Sequence, residues 1–211
     1  MNFILLIFIL IIFTPSAAAG EITGNIEFGE KYFDLFEEEE EDSYVYWRAY
    51  LRYQKRIKAY SNYSLRYELQ KREYTMRERY TSLMHEVRSN LTYQLTDSLR
   101  YYLRFVLRTR NYPHAVLSTY WALIPELQLN FYPSDKTTWT TQFSHQRRFY
   151  PEDREKDYRQ QSFTLSVRHS LLPSLTLNGR YRAGWEFPLT EEDESFQFEH
   201  RIAVGFRYVL D

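Results

Sequence analysis

Residues 99–108 read Leu-Arg-Tyr-Tyr-Leu-Arg-Phe-Val-Leu-Arg, and apolar and cationic side chains separate with a period of two. Leu99, Tyr101, Leu103, Phe105 and Leu107 fall on one side of an extended chain, Arg100, Arg104 and Arg108 on the other. Successive side chains of a β-strand point to opposite faces, so this segment has one greasy side and one cationic side. The same alternation recurs along most of the chain. A sheet that is apolar on one face and arginine-rich on the other suits a barrel whose outside touches lipid.

The N-terminus bears on the compartment. Phe3 to Phe13 is an unbroken apolar run, followed by Thr14-Pro15-Ser16 and Ala17-Ala18-Ala19-Gly20. That is the core, the break and the small-residue cleavage pattern of a secretory signal peptide, although only Met1-Asn2 precede it. The run is shorter than the roughly 20 residues that cross a bilayer as a helix. We expect cleavage after Ala19, with 20–211 forming one domain. No cysteine is present, which excludes a lipid-modified N-terminal thiol, disulfides and thiolate metal sites. A net charge of −1 carries no polyanion signal, so no nucleic-acid partner is expected.

Alternation marks ten strands, near 21–28, 44–57, 61–73, 80–95, 99–109, 116–131, 137–149, 160–169, 175–187 and 196–210. Eight to twelve remain compatible, because 74–90 is weakly patterned. Short turns near 58–61, 96–98, 132–136 and 171–174 alternate with longer polar connections near 29–43, 74–79, 110–115, 150–159 and 188–195. Short turns on one rim and long loops on the other are the arrangement of an up-and-down transmembrane barrel. A helical stripe through 44–57 would mix Trp47 and Leu51 with arginines. A secreted sandwich or lipocalin-like barrel would also alternate, but its strands are usually about 5–6 residues long. No internal repeat at a fixed period is detected.

The chain thus resembles a Gram-negative outer-membrane β-barrel protein across nearly all of 20–211. Gly205, Tyr208 and Leu210 in the last strand, with Phe206 between them, are similar to the C-terminal signal read by the barrel-assembly machinery. Ala203 stands where that signal has a polar residue, and Leu210-Asp211 replaces its terminal aromatic. The resemblance implies export through the periplasm, residence in the outer membrane and contact with its lipid and lipopolysaccharide. Length and the arginine-rich interior also resemble small porins for acidic oligosaccharides.

Carrying the phase through every strand turns fifteen arginines inward: Arg48, Arg52, Arg56, Arg66, Arg72, Arg88, Arg100, Arg104, Arg108, Arg148, Arg168, Arg180, Arg182, Arg201 and Arg207. Only six glutamates share that face: Glu27, Glu68, Glu86, Glu126, Glu186 and Glu199. Two readings stand. The interior is a narrow channel for anionic solutes, acidic oligosaccharides among them, with Arg48, Arg52, Arg66, Arg100, Arg104, Arg108, Arg168, Arg180, Arg182, Arg201 and Arg207 as anion-binding groups. Alternatively the interior is packed with Arg–Glu pairs and tyrosines, and the barrel is a structural element whose loops bind a surface partner.

The run Glu37, Glu38, Glu39, Glu40, Glu41 and Asp42 is a candidate plug for an arginine-lined mouth, or a solvated outer loop. No GxSxG, HExxH or paired-acid motif occurs, and no enzyme, metal or cofactor is expected. Ser144–His145 and His169–Ser170 are sequence neighbours whose side chains point to opposite faces. His145, Arg147 and His200 fall on the outward phase near the long-loop rim, within reach of lipid-A phosphates.

Overall fold

The structure, a computed structural model, describes residues 20–35, 40–58, 60–75, 77–188 and 197–208, without the side chains of 32–35, 40–42, 58 and 188. Ten strands follow one another: β1 (Glu21–Leu35), β2 (Glu40–Lys58), β3 (Ser61–Tyr74), β4 (Ser82–Thr96), β5 (Leu99–Asn111), β6 (Tyr120–Ser134), β7 (Thr137–Phe149), β8 (Tyr158–Leu172), β9 (Leu175–Pro188) and β10 (Gln197–Tyr208). Each pairs antiparallel with its neighbours in sequence, in the order β1 to β10. The ten-strand, up-and-down, all-β expectation holds. Among the described residues β1 and β10 form no ladder with each other, so they carry the two edges of the sheet.

The sheet is curled. One cavity of about 650 Å³ is lined by Tyr132 of β6 and by Ala203 and Gly205 of β10. Four strand spacings of ~4.8 Å would hold those strands ~19 Å apart in a flat sheet, too far to enclose one small space. Apart from Val167, Gly179 and Val204, the lining residues belong to the polar phase, so the arginine-bearing face is concave.

Burial is inverted relative to a water-soluble sheet. Among the described residues seven apolar residues are buried, including Tyr53 and Leu65, which form a small cluster with Tyr63, Tyr67 and Val87. Twenty-eight large apolar residues are exposed, from Ile26 and Phe28 through Phe105, Trp139 and Phe143 to Ile202, Val204 and Phe206. Apolar surface of that extent has no counterpart on soluble monomers and suits contact with hydrocarbon.

Strands of 15 residues, as in β4, β6 and β8, span ~50 Å of chain. That exceeds an apolar band of ~25 Å even at a tilt of ~40°. The excess emerges on the long-loop side and explains one difference from the sequence reading. The expected 29–43 loop is largely a β1–β2 hairpin, with Gly29 opposite Tyr46 and Leu35 opposite Glu40. Above a membrane both faces meet water, so backbone pairing continues where side-chain alternation is no longer required.

A second difference is a structural repeat. β3, β5, β7 and β9 open at Ser61, Leu99, Thr137 and Leu175, each 38 residues after the last. β4, β6 and β8 open at Ser82, Tyr120 and Tyr158, again 38 apart. The loops obey the same period. Glu78–Tyr80, Val116–Ser118 and Arg154–Lys156 each form a single 3-10 turn. A side-chain oxygen of Thr81, Thr119 and Asp157 accepts from the backbone N–H of Tyr74, Tyr112 and Tyr150, at 3.1, 3.1 and 2.6 Å. On the opposite rim Gln94, Tyr132 and Ser170 donate their N–H to the carbonyls of Tyr60, Ser98 and Lys136. The middle of the molecule is therefore one strand–loop–strand–turn unit used repeatedly, which similarity of residues alone does not reveal.

Candidate functional site

Strand register converts the alternation of single strands into rows across the polar face. Glu68 of β3 lies opposite Glu86 of β4, which lies opposite Arg108 of β5. One row nearer the short turns, Arg52, Arg66 and Arg88 stand abreast on β2, β3 and β4. Like charges side by side in a ladder repel. The repulsion is relieved along each strand, where Arg66 donates to Glu68 at 2.6 Å and Arg88 to Glu86. Glu86 also accepts from Arg108 Nε at 2.8 Å. With 3 % side-chain exposure, this carboxylate is among the most enclosed charges on the face.

The same arc holds further pairs. Glu27 accepts from Arg48 and, at 2.9 Å, from the Tyr46 hydroxyl. Arg104 donates to Glu126 at 3.0 Å and to Asn90 at 3.0 Å, and Asn90 donates on to Ser64. Tyrosines cover other guanidinium groups: Arg66 lies 4.0 Å from the Tyr50 ring and Arg72 lies 5.4 Å from Tyr44. Arg148 sits between Tyr120 and Tyr158, at 4.7 and 5.0 Å. A cation over an aromatic face is held by the ring quadrupole without any carboxylate. From β1 to β6 the polar face of the described residues thus carries a network of ion pairs and cation–π contacts.

The turn-side end of β6–β10 differs. The 650 Å³ cavity is lined by Arg168 and Arg180 together with Tyr132, Thr138, Thr140, Ser166 and Asn178. Among the described residues no carboxylate borders it. Among the described residues Arg168, Arg180 and Arg182 form no ion pair, whereas Arg201 is held by Glu199 at 2.9 Å. Arg182 stands directly opposite Arg201 across the β9–β10 ladder. Arg168 and Arg180 thus stand beside neutral hydroxyl and amide groups, chemistry that receives carboxylate, sulfate or phosphate, whereas Arg182 and Arg201 border a separate space that Glu186 and Glu199 also line.

The predicted inward arginines all fall on the polar phase, but they separate by role. Arg48, Arg66, Arg104, Arg108 and Arg201 hold glutamates, and Arg100 donates to Gln94 at 3.2 Å. Arg52 and Arg207, like the cavity arginines, form no ion pair among the described residues. Arg110 was missed because the strand was expected to stop at 109; it lies on the same phase and donates to Met84 Sδ at 3.4 Å. Thr138, Thr140, Ser166 and Asn178 were also missed, although their even-numbered phase marks them as inward. Gly205 and Tyr208 lie in β10, while Leu210 falls outside the described residues. The side chains of Glu37–Asp42 also fall outside them.

Histidines with resolved partners are on the outward phase. Tyr67 meets His85 Nδ1 at 2.7 Å, and Thr137 meets His169 Nδ1 at 2.9 Å. Among the described residues, no group of three or more His, Cys, Asp or Glu is placed to hold a metal ion.

No protein-family model and no curated protein matches the chain. Solved structures do. In-vitro folded OmpT, an outer membrane protein of Vibrio cholerae, superposes with a TM-score of 0.62 at 9% identity, covering 88% of this chain and 76% of that one. Outer-membrane expressed OmpT of Vibrio cholerae gives 0.61 at 9% identity, covering 90% and 80%. A loop L8 deletion mutant of the same protein gives 0.63 at 9% identity, covering 88% and 75%. The fold is that of outer-membrane β-barrel proteins.

Proposed function

We propose that the protein resides in the outer membrane and provides a narrow, arginine-lined passage for anionic solutes, with the β6–β10 cavity as its binding station. The observation that carries this reading is Arg168 and Arg180 bordering an open 650 Å³ space that has no carboxylate on its wall among the described residues. Cationic groups lining a water-filled constriction raise the local anion concentration and exclude cations. Adjacent hydroxyl and amide groups suit a solute that is both charged and hydroxylated, which makes acidic oligosaccharides the favoured class. In this reading the chain is not an enzyme. It is exported through the periplasm after cleavage at Ala19 and inserted by the barrel-assembly machinery, which reads Gly205, Tyr208 and Leu210. In this reading the acidic run Glu37–Asp42 is a candidate plug of the passage.

The test is a planar bilayer with a potassium chloride gradient across it. The reversal potential should show chloride preference, and Arg168→Ala/Arg180→Ala/Arg182→Ala should move it toward zero. A folded, inserted protein without conductance would overturn the passage. The packed β1–β6 network favours the second reading, a closed barrel that acts through its loops, and that outcome would select it.

A further inference from the structure

The outward face of β7 and β8 places two arginines side by side. Arg147 and Arg159 are directly opposite across the ladder, on the phase they share with Phe143 and Phe163. Both are exposed, and among the described residues neither forms an ion pair. Each is held by a ring instead: Arg147 lies 4.5 Å from the centre of Phe149, and Arg159 lies 5.3 Å from that of Phe187. Two like charges abreast in a sheet repel unless an anion comes between them.

Their height on the sheet is informative. Trp139 and Phe149 mark the two ends of the outward face of β7, ten residues apart in sequence. That is ~33 Å along a strand, and ~25 Å of height at the tilt such barrels adopt, which matches the apolar band. Arg147 is one outward position below Phe149, whose ring stacks on Trp121 at 4.3 Å. The arginine pair therefore lies at the aromatic girdle on the long-loop side, where headgroups begin. Below it come His145 and Gln161, and then the apolar rows led by Phe143 and Phe163.

The structural repeat supplies an internal comparison. Lys71 of β3 occupies the position of Arg147 two units earlier and forms an ion pair with Glu73. In the β7 unit the position of Glu73 is taken by Phe149. An internal counter-ion has been replaced by a ring that orients the cation and leaves its charge available.

We propose that Arg147 and Arg159 form a docking site for the phosphate of a lipid in the outer leaflet. Two planar forks fit phosphate oxygens better than point charges do, and the bilayer presents such groups at this depth. The site faces away from the passage and does not depend on it.

The full-length mature protein is purified and folded, then incubated with diphosphoryl lipid A or with its dephosphorylated form, and retained lipid is counted by native mass spectrometry. Wild-type protein should retain the diphosphoryl lipid roughly tenfold better. Arg147→Gln/Arg159→Gln should abolish most of that preference, Arg147→Lys/Arg159→Lys should keep part of it, and Lys71→Gln should leave it unchanged. Equal retention of the two lipids by wild type, or undiminished preference in the Gln double variant, would overturn the site. Displacement by millimolar inorganic phosphate would assign it to the free ion and overturn the lipid. If the Gln variant does not fold, shown by loss of heat-shifted gel mobility, the wild-type lipid comparison and the Lys variant still decide.

Discussion

Glu27, Glu68, Glu86 and Glu126, all between β1 and β6, are each held by an arginine of the same polar face. At the turn-side end of β7–β9, Arg168 and Arg180 face a cavity with no acid on its wall among the described residues. The two arcs share one fold and one alternation of faces, yet they use arginine differently. In the first, guanidinium groups cross-link strands, and the space between them is filled by carboxylates, Asn90 and tyrosine rings. In the second, the neighbours are Thr138, Thr140, Ser166 and Asn178, too short to reach across the opening. Short side chains, as much as charge, distinguish the second arc.

Breaking the packed arc should have the largest effect. Glu86→Ala strands Arg88 and Arg108 in an enclosed setting and should cost ~3–5 kcal/mol, read from urea unfolding in lipid vesicles. The corresponding change in the open arc, Arg180→Ala, should alter stability by less than ~1 kcal/mol, because no partner is left behind. Its effect appears in transport: combined with Arg168→Ala and Arg182→Ala, it should remove most of the chloride preference measured in bilayers.

A charge placed in the open arc sharpens the contrast. Ser166 is opposite Arg180 in the β8–β9 ladder, so Ser166→Glu should build there the kind of pair that the first arc already has. Anion preference should fall, and stability should rise by ~0.5 kcal/mol or stay level. The smallest effect belongs to the rim of the packed arc. Arg104 is 42 % exposed, so Glu126→Gln should cost ~1 kcal/mol or less in the same unfolding assay. If Glu126→Gln proved as damaging as Glu86→Ala, burial would not be what separates the pairs.

Much of this was legible before any coordinates. Leu103 and Phe105 against Arg104, or Trp139 and Phe143 against Thr140, assign face and strand together, because a side-chain period of two has no other regular explanation. Four short turns and the long loops then give direction. What phase cannot give is register, the sliding of one strand against the next. Whether Arg108 meets Glu86 or an empty wall depends on the β4–β5 offset, so fifteen arginines looked equivalent when they are not. The β1–β2 extension was hidden for a different reason: strands standing in water lose the alternation that reveals them. The 38-residue repeat is faint in the sequence because its units share geometry and only a few residues, Tyr74, Tyr112 and Tyr150 among them. Equivalent positions hold Leu65, Leu103, Thr141 and Gly179, or Glu73, Asn111, Phe149 and Phe187.

Because each unit begins and ends on the same rim, with its own clamped loop and its own turn, the circumference of this wall is a matter of how many units are threaded in line. Inserting or excising 38 residues would widen or narrow it by two strands while leaving both rims intact. Girth and lining are therefore separable: a lineage could change the number of strands by copying DNA, and the chemistry of the polar face by point changes on the even-numbered positions of a single copy.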